Sequence, residues 1–177
     1  MQLLSYILSI SGLICIISAS LIKGNKMKAI LFLVFCANLF VATSYLVGGS
    51  GINGAAACYL GAVMTLINYF FDSRNKPIPK WLIAIYVIAI IVLNIWVAGG
   101  ISLLGMLVII ASLSFIMCIG QTNGTKYRFW TIVNMLLWCT HDILAPAYNA
   151  LATHIPQLLF TVVGMIIHDR KKENIDK

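Results

Sequence analysis

Seven apolar stretches of similar length, separated by short polar breaks, run through the sequence at 3–22, 29–48, 51–71, 81–97, 101–120, 129–147 and 149–167. A hydrocarbon layer about 30 Å thick is crossed by about 20 helical residues, so each stretch has the reach of a transmembrane helix. The run from Ile83 to Leu93 is apolar on every side, which excludes the apolar-polar alternation of outer-membrane strands. Composition points the same way: 61% of the residues are hydrophobic and 10% charged, against roughly 25% charged in a soluble domain. A soluble globular fold and a disordered chain are both excluded. A disulfide scaffold is excluded too, because Cys15, Cys36, Cys58, Cys118 and Cys139 are odd in number and lie in apolar runs.

The cations decide orientation, because Lys and Arg in short loops stay on the cytoplasmic side. Lys23, Lys26 and Lys28 follow span 1; Arg74, Lys76 and Lys80 follow span 3; Lys126 and Arg128 follow span 5; Arg170, Lys171, Lys172 and Lys177 follow span 7. The alternate connections, 48–51, 98–100 and 146–149, contain none. This pattern requires an odd number of spans, with the N-terminus outside and the C-terminus in the cytoplasm. The expected location is therefore a cell membrane, with the basic loops on its cytoplasmic face. The lipid bilayer is the partner implied by the net charge of +7, since basic loops meet anionic headgroups there, and no nucleic acid is expected. Span 1 lacks a basic leading region and is followed by Lys23 instead of a small-residue cleavage site, so it is read as part of the mature chain.

A repeat lies in the loops. Asn25, Lys26, Met27 and Lys28, preceded by Lys23 and Gly24, align with Asn123-Gly124-Thr125-Lys126-Tyr127-Arg128, with Gly, Lys and a second basic residue at identical spacing. The ends of spans 3 and 7 also agree, as Phe71-Asp72-Ser73-Arg74 and Ile167-His168-Asp169-Arg170. If spans 1–3 and 5–7 are equivalent, the extra crossing of span 4 makes the halves parallel. The expected fold class is all-α and integral to the membrane, with two parallel three-helix bundles joined by a linker helix. The divisions fall at 1–72, 73–100, 101–168 and a basic tail at 169–177. Span 4, whose one strongly polar interior residue is Asn94, is expected to face lipid.

This three-one-three layout, with its basic loops on one side, resembles the SWEET, PnuC and PQ-loop superfamily of small-solute transporters and related membrane proteins. Trp138-Cys-Thr-His141-Asp142, followed by a small-residue turn and the run from Ile155 through Pro156, Gln157 and Gly164 to Ile167, is similar to the bacterial YgjV inner-membrane family. There a Trp-x-x-His-Asn stretch is similarly placed, whereas this chain carries Asp142. Its Pro-Gln pair is on span 7, where PQ-loop proteins carry theirs on spans 1 and 5. The proline hinges typical of SWEETs are missing from span 2, so sugar transport does not transfer.

Asp142 is the only acidic residue within a span. A carboxylate at a helix centre costs about 2.5–3.5 kcal/mol to insert, so an intramembrane acid is a functional hypothesis by default. The competing readings are that it snorkels to the outer headgroups or caps span 7. His141 stands beside it, which gathers two titratable side chains around one helix turn. Thr131, Asn134, Trp138 and His141 share one face of span 6, a mixture of amide, aromatic and imidazole groups that suits a cavity for a polar solute. Interhelical hydrogen bonding is the plainer reading for Asn134 alone. Asn38 on span 2, Asn68 on span 3 and Gln157 on span 7 complete the expected substrate-binding set, and Pro156 is a candidate hinge. His154 is expected at the outer interface and His168 in solvent beside the tail.

The leading expectation is a transporter or facilitator of a small polar solute working by alternating access. Proton coupling and a homo-oligomer stay open, and the alternative is a non-transporting heptahelical sensor or complex subunit. No enzyme activity is expected, because no nucleophile or paired carboxylate accompanies His141. Neither a metal nor a cofactor is expected, because the His and Cys residues lack ligand spacing.

Overall fold

A computed structural model describes residues 2–23, 26–49, 52–98, 102–146 and 148–173. The side chains of residues 53, 98, 148, 149 and 169–173 are not among those described. Gly24 and Asn25 of the repeat also fall outside the described residues.

The described residues form seven helices and no strand: α1 (Gln2–Leu21), α2 (Met27–Gly48), α3 (Ile52–Ser73), α4 (Lys80–Ala98), α5 (Leu103–Ile119), α6 (Gly124–Leu144) and α7 (Tyr148–Glu173). Five of them, α1, α2, α3, α4 and α7, are long and apolar enough to cross a membrane. The α5 helix, of 17 residues, is shorter, and α6 carries Lys126, Arg128 and Asp142. Several such helices in one chain make this a multi-pass membrane architecture.

Local chemistry explains where the helices start and stop. The Ser102 hydroxyl accepts from the Gly105 amide at 3.0 Å and caps α5, and the Asn123 carboxamide oxygen accepts from the Thr125 amide at 2.8 Å and caps α6. At the end of α2, Gly49 adopts φ 67°, the left-handed conformation that lets its amide reach back to the last carbonyls. Two boundaries differ from the sequence expectation. The α6 helix begins at Gly124, so Lys126 and Arg128 lie in its first turns and not in a loop. The α7 helix continues into the expected tail as far as Glu173.

Helices adjacent in sequence pack side by side, most extensively α1 on α2, α2 on α3, α5 on α6 and α6 on α7. α7 returns to α1, and α3 touches α5, so the chain closes on itself. The molecule has apolar residues outside and polar residues inside. Large apolar side chains such as Ile14, Val92, Trp96, Ile143 and Leu159 are exposed, whereas Thr65, Asn68, Asn94, Asn134, Asp142 and Thr161 are buried. That is the arrangement a lipid solvent selects.

The α4 helix departs from the expectation of a lipid-facing linker. It exposes Trp81, Ile85, Ile88, Val92 and Trp96, but Leu82, Tyr86, Ile90 and Asn94 form a buried stripe at helical spacing. Leu82, Tyr86 and Ile90 pack with Leu31, Met64, Ile116 and Ile119 into one apolar cluster. A second cluster joins Ala19, Met27, Ile30, Val34, Cys118 and Tyr127. Met27 and Tyr127, which the loop repeat aligns, therefore meet in the same core.

At the end of the molecule that carries the basic connections, α1 is tied to α6 and α7. Arg128, expected to sit in a basic loop, is instead 1% exposed. Its Nε donates to the Ser20 carbonyl at 3.2 Å and its Nη2 to the Ile22 carbonyl at 2.6 Å. His168, expected in solvent, places Nε2 2.8 Å from the Leu21 carbonyl. These are the carbonyls a helix C-terminus leaves without intrahelical partners, and a cation is favoured there. The Ser20 and Thr161 hydroxyls lie 3.0 Å apart across the α1–α7 contact. Gly164 allows that contact, since a Cβ on it would press into the Ser20 carbonyl.

Candidate functional site

A central cavity of about 100 Å³ is walled by residues of all seven helices, from Gly12 on α1 to Gln157 on α7. Of the sequence-predicted set, Asn38, Asn134, Trp138 and Gln157 line it. Asp142, His141 and Asn68 do not. Asn94, on the helix expected to face lipid, and His154, expected at the outer interface, line it as well.

Three amides give the wall its polarity, and their orientation follows from hydrogen bonding. The Asn38 NH2 donates to the Val34 carbonyl at 2.9 Å, and the Asn94 NH2 donates to the Ile90 carbonyl at 2.8 Å. Both are bonds back onto the preceding turn, which satisfy a polar side chain where water is scarce. The Asn134 NH2 donates across to α5, to the Ala111 carbonyl at 2.6 Å and the Ser114 hydroxyl at 2.9 Å. A backbone carbonyl can only accept, so these bonds mark the nitrogen of each amide and thereby its oxygen; Asn134 uses both of its N–H groups, whereas Asn38 and Asn94 each keep a second one. No protein donor reaches these three oxygens among the described residues.

The Asp142 carboxylate lies just outside the cavity wall, 1% exposed. His141 Nδ1 is 3.2 Å from its Oδ1, and His154 Nδ1 on α7 is 2.6 Å from its Oδ2. Asp142 thus does not snorkel to the surface, and among the described residues its oxygens meet the two imidazoles and no amide of α7. Each carboxylate oxygen holds one imidazole nitrogen, which fixes both rings. Trp138, one turn earlier on α6, meets both imidazoles, edge-on to His141 at 5.4 Å and stacked with His154 at 5.7 Å and 30°. His154 stands between the cavity and Asp142. The α6–α7 turn is short, so residues on either side of it face one another across an antiparallel pair. That is the signal in the sequence that pairs His154 with Asp142.

Asn68 does a different job. Its NH2 donates to the Ile119 carbonyl at 3.0 Å, one of the last carbonyls of α5, and its oxygen accepts from the Tyr86 hydroxyl at 3.0 Å. It ties α3 to α4 and α5 away from the cavity. Pro156 lies inside α7, which remains one helix through it. Lacking an N–H, Pro156 cannot bond the Ala152 carbonyl.

A second cavity of about 250 Å³ lies between α1, α2 and α7 at the end opposite the basic connections. Gln2, Ser5, Ser9, Ser44 and Thr153 supply its polar lining. It shares Leu13, Val41, Tyr45 and Thr153 with the central cavity, so these four side chains form the partition between the two. Among the described residues no group of three or more His, Cys, Asp or Glu is arranged to hold a metal ion.

Scans of the chain against protein-family models, curated proteins and solved structures found no match.

Proposed function

We propose that the chain is a transporter or facilitator of a small polar solute, held in the central cavity and released by alternating access. The observation that carries this reading is the cavity itself. It gathers amides, an indole and an imidazole around an internal space, the mixture that orients a polar solute. The adjoining cavity gives a route from one face through the partition at Tyr45. The ties among Ser20, Arg128, Thr161 and His168 close the opposite face. An outward-open to inward-open exchange would break those ties and seal the partition.

In this reading all seven helices span the membrane, α1–α3 and α5–α7 are parallel bundles, and α4 is the bridge. The offset that takes Lys26 to Lys126 also brings α1, α2 and α3 close to α5, α6 and α7, which supports a duplication. The N-terminus is outside and the C-terminus is in the cytoplasm of a bacterial inner membrane. The likeness to the YgjV, SWEET, PnuC and PQ-loop proteins belongs to the same proposal. Asn38, Asn134, Trp138, Gln157 and His154 contact the solute, and Asp142 and His141 act through His154 and Trp138. Pro156 serves as the hinge beside the partition.

A solute panel scored by thermal stabilisation of the detergent-solubilised protein, followed by uptake of each hit into proteoliposomes, tests this. Hits that stabilise the protein and cross the bilayer, with both effects lost in Trp138→Ala, support it. Stabilisation without flux would replace the transporter by a sensor.

A further inference from the structure

Resting on that transport reading, we infer that the solute is a small organic cation and that it exchanges for a proton carried by His154. The cavity wall is built for positive charge. It includes the amides of Asn38, Asn94 and Asn134, whose oxygens meet no protein donor among the described residues, while both N–H groups of Asn134 and one each of Asn38 and Asn94 are taken by carbonyls and a hydroxyl. It includes the indole of Trp138, a ring whose quadrupole attracts a cation. It includes no Lys or Arg among the described residues. An anion would meet no cationic side chain in this wall, and the Asp142 carboxylate stands just behind His154.

Charge balance then supplies the exchange. The ionisable groups facing Asp142 are His141 and Cys139 from its own helix, His154 from α7, Tyr45 from α2 and Cys58 from α3. None carries a fixed positive charge, so ionised Asp142 with two neutral imidazoles leaves a net negative charge buried in a low-dielectric setting. One added proton on an imidazole makes the cluster neutral, and so does one monovalent cation resting against the wall. His154 is the imidazole that belongs to both places, since it lines the cavity and bonds Asp142. Its Nδ1–H stays with Asp142 Oδ2 throughout, so the exchanged proton enters and leaves at Nε2. When the cation arrives, Nε2 gives its proton to water and the imidazole returns to neutral. When the cation leaves, Nε2 takes a proton back. Charge and protons balance over the cycle, one cation in one direction against one proton in the other.

The test uses the purified full-length chain with choline as the cation, dimethylbutanol as its uncharged carbon isostere and dimethylbutyrate as an anion of similar shape. Binding is followed by calorimetry, and proton release by a pH indicator in weak buffer. On the acid side of the transition the expected results are one proton released per choline bound and choline affinity falling about tenfold per unit as the pH is lowered, with both effects vanishing on the alkaline side. Choline should also be preferred over dimethylbutanol on the order of tenfold. In His154→Gln the proton release disappears, and the pH profile of the wild type carries the same information should that variant fail to fold. Equal binding of choline and dimethylbutanol without proton release overturns the inference. If a neutral solute then binds and crosses proteoliposomes, the transport reading survives that failure. Proton-releasing choline binding with no flux in either direction upholds the cation site and overturns transport.

Discussion

Gly164→Ala tests the closed face of the molecule. A Cβ at Gly164 would approach the Ser20 carbonyl oxygen inside 3.0 Å and lie 3.4 Å from Arg128 Nε. The obstruction is backbone, so no rotamer change relieves it, and the oxygen must retreat by roughly 1 Å to reach the about 3.3 Å at which carbon and carbonyl oxygen rest. Overpacking of this kind costs about 1–3 kcal/mol. The same displacement stretches the Arg128 Nε bond to Ser20, already 3.2 Å long, and a hydrogen bond to a charged group contributes about 1.5–3 kcal/mol. Partial loss of that bond puts the total near 2–4 kcal/mol. For a chain of this size the melting temperature should fall by roughly 5–15 °C. The assay is thermal unfolding in detergent followed by tryptophan fluorescence, with Gly61→Ala as the comparison. A Cβ at Gly61 meets side-chain atoms, Phe115 Cε1 at 3.3 Å and Asn38 Oδ1 at 3.4 Å, which can yield. A Gly164→Ala protein that melts with the wild type, or above Gly61→Ala, refutes the close α1–α7 contact.

Three further outcomes are expected. Asn68→Leu removes the donor to the Ile119 carbonyl and the nearer acceptor of the Tyr86 hydroxyl, which keeps only the Met64 carbonyl at 3.4 Å, so it should destabilise the protein by about 1–3 kcal/mol in thermal unfolding while leaving solute affinity per folded molecule unchanged. A double-mutant cycle of Ser20→Ala and Thr161→Ala should give a coupling of about 0.6 kcal/mol, the usual size of a hydrogen bond between membrane helices, and zero coupling would remove that tie. Impermeant labelling of terminal tags in intact cells should reach the N-terminus and not the C-terminus, and labelling of both would overturn the seven-span topology.

Helix number was readable in the sequence because lipid imposes one length and one polarity on every element, and the apolar runs record both. The start of α6 was not, because a hydropathy pattern treats any cation as a loop. Arg128 is buried against the carbonyls that end α1, an environment made by a distant helix and invisible in its neighbours. The same limit applies to Asn94. Its stripe with Leu82, Tyr86 and Ile90 is periodic, but α4 is apolar all round and the pattern does not say which side meets protein. Within the site, Trp138, His141 and Asp142 were legible as neighbours on one helix. His154 reads as interfacial from its position alone, and only the short α6–α7 turn hints at its contact with Asp142. Asn68 looked like its cavity counterparts in sequence, and only its partners on α4 and α5 distinguish it.

The central claim is that the polar chamber around Trp138 is where a solute crosses. Solute flux into proteoliposomes, measured side by side for the wild type, Trp138→Ala and Asn68→Leu and scaled to folded protein, tests it most directly. The account predicts flux in the wild type and Asn68→Leu and its loss in Trp138→Ala. Equal flux in all three contradicts it.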